Sequence, residues 1–243
     1  MKKEERRSIQ EILHDLGAIM QGGHFAFRSG HHGSTYVNKN AIFPHIRETS
    51  DLCAEIADHF ANNNVEVVAG PAMGGIIMSQ WVAYHLFALT GKDVLSLYAE
   101  KETVRIPDPE GEGRLCFYET GRFVFGRGYE NLLIGKNVLV VEDVVTTGSS
   151  VKEVVQSVYE IGGTVVGVGV LCNRGKVTRT ALGNVPKFIA LSAIDAPSVT
   201  AEQCRAWGLC AQGVPINQDV GKGHLLHHVP RAIVGIRQRL VQR

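Results

Sequence analysis

VLVVEDVVTTGSS, residues 138–150, passes from an apolar run through two adjacent acids into small hydroxyl residues around one glycine. The run lacks polar alternation, as expected of a parallel strand covered on both faces. The next segment, GSSVKEVVQSVYEIGG, reads as a helix. In open parallel sheets, ligands sit beyond the carboxyl ends of the strands, where loops enter helices. Glu142 and Asp143 fall at that edge.

The TTGSS turn opens the helix. Its backbone amides and the hydroxyls of Thr146, Thr147, Ser149 and Ser150 are placed to surround an anion, with Gly148 permitting close approach. The triphosphate-loop pattern GxxxxGK[ST] is absent and no lysine enters the turn, so a single terminal phosphate fits better. Carboxylates beside a phosphate repel it. A sugar reconciles the two: its hydroxyls donate to the acids while its phosphate lies in the cradle, and a divalent cation screens the remainder. The pattern predicts a ribose phosphate site. A plain helix cap needs one hydroxyl, whereas this segment carries four and two acids.

Outward from this stretch, strands and helices alternate. VEVVAG, VLSLYA, TVVGVGVLCNR and KFIALSAID read as strands, with helices near 48–62 (Leu52, Ile56 and Phe60 on one face) and from about 75 to 89. The alternation predicts an α/β fold, an open, mainly parallel twisted sheet flanked by helices. Ile9, Ile12, Leu13, Leu16 and Met20 recur at helical spacing, with Gly22 and Gly23 as the stop. HFAF and TYVN read as short strands around SGHHGS. From Lys101 to about Gly135 no period is sustained, which reads as a long functional or mobile connection. VPRAIVGIRQRLVQR fits a terminal helix begun at Pro230, with Ile233, Ile236 and Leu240 on one face.

With 243 residues, 44% hydrophobic and 20% charged, and a net charge of +1, the chain has material for a sizeable core and no electrostatic grip on nucleic acid. No apolar run reaches the roughly 18 residues of a membrane span. The start, MKKEERRSIQEILHDL, is charged and amphipathic, so no membrane and a cytoplasmic location are expected. Five scattered cysteines predict reduced thiols. Cys204 and Cys210, in CRAWGLC, lack CxxC spacing and have no second pair, so no protein-bound metal is expected.

VLVVEDVVTTGSS resembles the phosphoribosyl pyrophosphate motif of the type I phosphoribosyltransferases: apolar strand, two acids, two variable residues, then T-T-G with small residues. The resemblance implies that Glu142 and Asp143 hold the ribose hydroxyls, and Thr146, Thr147, Gly148, Ser149 and Ser150 the 5′-phosphate. HFAFRSGHHGSTYVNKN is similar to the early segment of the orotate phosphoribosyltransferases. AGPAMGG resembles their pyrophosphate loop, which sets Gly70, Ala72, Gly74 and Gly75 against that group. LCNRG stands where they carry D-R, placing Arg174 to meet the orotate carboxylate, with Arg28 a second candidate. TAEQCRAWGLCAQGVPIN is similar to a cysteine-containing ending in one branch, so the resemblance spans roughly residues 8–217.

It implies one phosphoribosyltransferase domain over 1–243, with segments of about 1–45 and about 195–243 forming a small hood. It implies transfer of ribose 5-phosphate from phosphoribosyl pyrophosphate to orotate, with Lys101 and Asp143 catalytic. Magnesium (Mg2+) is expected mainly through substrate oxygens, and the active form is expected to be a homodimer. The sequence also departs from the pattern. The usual mobile loop R-K-x-x-K-x-H-G keeps Lys101, but Glu100 stands in the arginine place, Val104 in the second lysine place, and no His-Gly follows. Lys101, Arg105, Arg114, Arg122 and Arg127 remain as basic groups for a departing pyrophosphate. Asn173 replaces an aspartate, and Gly74 stands where many relatives have lysine. Two alternatives stay open: another purine or pyrimidine as acceptor, or a regulator that binds phosphoribosyl pyrophosphate without turnover.

Overall fold

The computed structural model describes residues 7, 9–27, 29–107 and 115–221. They form two compact units, one of residues up to 16 with 39–195, the other of 17–38 with 196–221.

In the first unit a six-stranded sheet runs in the order β5-β4-β3-β6-β7-β8. Its strands are β3 (Val67–Pro71), β4 (Leu95–Pro107), β5 (Leu115–Val124), β6 (Asn137–Val145), β7 (Thr164–Asn173) and β8 (Phe188–Ala193). All neighbours are parallel except the antiparallel pair β4 and β5. The helices are α1 (Ile9–Asp15), α2 (Ile46–Phe60), α3 (Gly74–Thr90), α4 (Glu130–Leu133) and α5 (Ser149–Ile161). The apolar runs become strands buried along nearly their whole length: β3 throughout, and β6 from Val138 to Asp143. Helix α5 seats Val151, Val154, Val155 and Val158 in the core around Val138, Val140 and Val168. Full burial of such a side chain contributes on the order of 1.5–3 kcal/mol. Helix α2 buries Leu52, Ile56 and Phe60, the predicted face. It approaches β7 closely, since a Cβ on Gly169 would stand 2.6 Å from Cγ2 of Ile56.

The second unit holds a three-stranded antiparallel sheet, β1 (Ile19–Ala26), β2 (His31–Val37) and β9 (Ser198–Thr200), in that order, followed by helix α6 (Ala201–Trp207). Thr200 caps α6 in a reciprocal pair of bonds with Gln203.

Three expectations change. The first helix ends at Asp15, not at Gly22: Gly17 takes a left-handed φ of 59°, and Met20, Gly22 and Gly23 lie in β1. The spacing from Leu16 to Met20 fits a helix turn by coincidence. The turn-rich SGHHGS gives up His31 to Ser34 to β2, leaving a shorter hairpin turn. The stretch after Lys101, where no period is sustained, forms an antiparallel ribbon, with Arg105 opposite Phe117 and Ile106 opposite Cys116. Residues 115–122 of β5 are almost all exposed, so neither face carries the apolar alternation that marks a half-buried strand. The predicted helix from Pro230 lies outside the described residues. Among the described residues no helix is long and apolar enough to cross a membrane.

Candidate active site

Strand β3 has β4 on one side and β6 on the other, so the strand order reverses at β3 and the chain leaves β3 and β6 at the same edge. That is a topological switch point, where a crevice opens beyond the strand ends. AGPAMGG forms one wall. Ala72 N donates to Ala99 O at 2.8 Å, and the Ala72–Met73 peptide is cis. Gly70 and Gly75 let the loop close on itself, since a Cβ on Gly75 would stand 2.6 Å from the carbonyl carbon of Gly70. Gly74 opens α3 directly against Asp143.

Glu142 and Asp143 end β6 nearly out of water, at 9% and 1% exposure. Asp143 N donates to Oε1 of Glu142 at 3.0 Å, and Val144 N donates to Oδ1 of Asp143 at 2.6 Å. Lys39 reaches Asp143 from elsewhere in the unit, its Nζ 2.8 Å from Oδ2 and 3.1 Å from Oδ1. Burial, then the charge of Asp143, pushes the Glu142 carboxyl well above its ordinary value. Burial raises Asp143 as well, opposed by the charge and hydrogen bond of Lys39. Two acids facing one lysine leave an excess of acceptors, which suits a ligand rich in hydroxyl donors.

The following turn enters α5 through Gly148, whose φ of 77° suits a residue without a Cβ. Thr147 and Ser149 are exposed, with their hydroxyl oxygens 3.0 Å apart, and Thr146 and Ser150 are half-buried. A 13-residue helix anchored by buried valines presents its N-terminus here, the arrangement that favours an anion.

The Arg174 segment packs against this turn. Arg174 N donates to Val145 O at 2.9 Å, Arg174 is buried, and a Cβ on Gly175 would overlap the carbonyl oxygen of Thr146. Asn173 closes the turn twice, donating to Val177 O at 2.8 Å and accepting from Val177 N at 2.9 Å. An aspartate could make the second bond but not the first.

Glu142, Asp143, Gly74, Thr146–Ser150 and Arg174 are thus adjoining parts of one edge. Lys101 stands apart on the ribbon, paired with Glu119. Other basic groups there are also engaged: Arg127 forks onto Glu100 at 3.0 and 3.1 Å, Arg122 bonds Glu160 at 2.6 Å, and Arg105 lies over Phe117. Arg28 and Arg114 lie outside the described residues. Lys39 is the site residue that sequence reasoning missed. Two buried acids call for a cation, but nothing in TYVNKN says that this lysine, 104 positions away, supplies it.

Residues 36–186 match the family described as phosphoribosyl transferase domain. The chain is 37% identical over 210 residues to the orotate phosphoribosyltransferase of Desulforamulus reducens, covering 86% of this chain and 94% of that one. It is 38% identical over 217 residues to the orotate phosphoribosyltransferase of Thermotoga maritima, covering 88% and 98%. In fold it is similar to Mycobacterium tuberculosis H37Rv orotate phosphoribosyltransferase solved with Fe(III) dicitrate, at a TM-score of 0.55 and 21% identity, covering 76% and 94%. The two acids and the hydroxyl-rich turn lie within the matched residues 36–186, and the chain belongs to the phosphoribosyltransferase family.

Proposed function

We propose that the crevice binds phosphoribosyl pyrophosphate and transfers its ribose 5-phosphate to N1 of orotate, giving orotidine 5′-monophosphate and pyrophosphate. The observation that carries this reading is the junction of the buried Glu142–Asp143 pair with the Thr146–Ser150 turn at the head of α5. The turn and the helix terminus take the 5′-phosphate, and the carboxylates accept the ribose hydroxyls. The C1′–N1 bond forms as the C1′–oxygen bond to pyrophosphate breaks, and the N1 proton passes to solvent. Positive charge developing at C1′ is stabilised by the fixed carboxylate of Asp143, which needs no reorganisation as the reaction proceeds. In this reading Arg174, buried and bonded through its backbone to Val145, pairs with a carboxylate on the base.

Magnesium prefers oxygen ligands and keeps several waters. Glu142 and Asp143 would be its acidic partners at the crevice. The chemistry it would supply there is neutralisation of charge on the pyrophosphate. Lys101 supplies a second cation to that group on exchanging Glu119, which is exposed, for the departing anion. The two units act as one phosphoribosyltransferase domain. Five free cysteines suit a cytoplasmic protein, and exposed Tyr84 and Phe87 on α3 suit a homodimer contact.

The test is pyrophosphate release from phosphoribosyl pyrophosphate with magnesium and a panel of bases, beside Asp143→Asn. Release that depends on orotate and is lost in the variant is expected. Release with a different base would replace the acceptor and keep the chemistry. Because acids already occupy Lys101 and Arg127, a regulator that binds without turnover is the second reading, and tight binding with no release for any base would select it.

A further inference from the structure

In the second unit, four side chains that this reaction does not use converge on one point. His24 on β1 and His32 on β2 bring Nε2 and Nδ1 to 3.0 Å. Cys204 of α6 sets Sγ 3.5 Å from His24 Nε2. Cys210 sets Sγ 3.6 Å from the same nitrogen and 3.4 Å from His32 Nδ1. All four ligand atoms lie within 4.8 Å of one another. His24, His32 and Cys204 are buried and Cys210 is half-buried.

A histidine pair sharing one hydrogen bond accounts for the 3.0 Å contact but not for two sulfurs closing on the same nitrogens. The outer contacts are those that metal ligands use. His24 Nδ1 lies 2.7 Å from the Val214 carbonyl oxygen, which only accepts, so Nδ1 carries the proton and Nε2 turns its lone pair inward. Cys210 N donates to Sγ of Cys204 at 3.3 Å, which favours a thiolate there. Bonds of about 2.0–2.1 Å to nitrogen and about 2.3 Å to sulfur at tetrahedral angles place N···N at roughly 3.4 Å and N···S at roughly 3.6 Å. Three sulfur–nitrogen separations, 3.4–3.6 Å, fall at that value, the two nitrogens need open only a few tenths of an ångström, and every remaining pair lies within 4.8 Å.

We propose that His24 Nε2, His32 Nδ1, Cys204 Sγ and Cys210 Sγ form a closed tetrahedral zinc site. Two imidazoles and two thiolates select zinc over magnesium or calcium, and four protein ligands leave no position for substrate, so the site is structural. Each thiol releases its proton to solvent as the metal binds. The ion staples the β1–β2 hairpin to the segment around α6. A staple suits the described part of this unit: among its described residues the sheet has three strands, β9 is three residues long, and the largest buried apolar side chains are Phe25, Phe27 and Val37.

The test uses the full chain, purified under reducing conditions without chelator, by metal analysis and by cobalt titration of the stripped protein. About one zinc per chain is expected. Cobalt(II) should give the intense visible bands and sulfur-to-metal charge transfer of a tetrahedral centre, displaced by zinc. The Cys204→Ser, Cys210→Ser double variant should lose both. Because that variant can also misfold, a second readout uses the unaltered chain: zinc, and not magnesium, should raise the melting temperature of the stripped protein. The proposal is overturned by negligible zinc with a pale octahedral cobalt spectrum, by a Cys204–Cys210 disulfide without metal under reducing conditions, or by an unchanged cobalt spectrum in the double variant.

Discussion

A Cβ added to Gly74 would overlap Oδ2 of Asp143, so the first residue of α3 and the acid ending β6 occupy adjoining space with no room for a methyl group. The β3 and β6 loops are thereby set against each other at the switch point. Gly74→Ala must push the carboxylate off Lys39. Displacements of about 1 Å in a reacting constellation cost on the order of 10²-fold. A drop of that size in kcat/KM is expected with the fold retained by circular dichroism. An unchanged rate would mean that the position of Asp143 does not govern turnover.

Lys39 holds down the carboxyls of both acids. In Lys39→Ala both move further up, so the acid limb of the pH–rate profile shifts to higher pH. Lys39 is partly in water, so the lost stability is discounted from the cost of breaking a fully buried pair to about 1–2 kcal/mol. Rate profiles and urea unfolding of the variant check the two effects separately.

Glu142 carries the opposite sign from most paired acids. Its folded value lies well above the ordinary 4.5, so the folded chain keeps a proton that the unfolded chain has released. The stability it lends is complete below about 4.5 and is lost as pH rises through the folded value. Glu142→Gln removes this penalty. It should melt higher than the parent at pH 8, by about 2–4 °C for each kcal/mol regained, match it near pH 4, and lose activity. Thermal scans at the two pH values decide the matter, and a variant that melts lower at pH 8 would refute the assignment.

Gly175 packs against the turn that begins at Thr146, with no space for a Cβ before the Thr146 carbonyl. Gly175→Ala should therefore weaken phosphoribosyl pyrophosphate binding by roughly 10–100-fold, although its own side chain never touches ligand. Calorimetric titration measures this. Normal affinity would show that the turn tolerates the shift.

The build of the crevice edge was legible because thirteen consecutive residues, Val138–Ser150, carry strand, acids, turn and helix start. The buried strands were legible for a related reason, since apolar runs without alternation have one stable use. What escaped depends on distance or on solvent. Lys39 meets Asp143 from 104 positions away, and His24 meets Cys204 from 180. The CxxC test looks for neighbours in sequence, whereas these ligands become neighbours through a hairpin and a helix. The β4–β5 ribbon escaped because water bathes most of β5, which leaves residue choice there free of any period.

The pairing of β2 with β9 also sets a timetable. His31, His32 and Gly33 await Thr200, Val199 and Ser198. At about 5–20 residues per second of synthesis, the hairpin spends on the order of 10–30 s with its inner strand lacking one neighbour. An unpaired strand edge is a template for any other strand. During that interval a nascent chain on a crowded ribosome is exposed to capture by its neighbour, and the pace of translation enters the yield of folded protein.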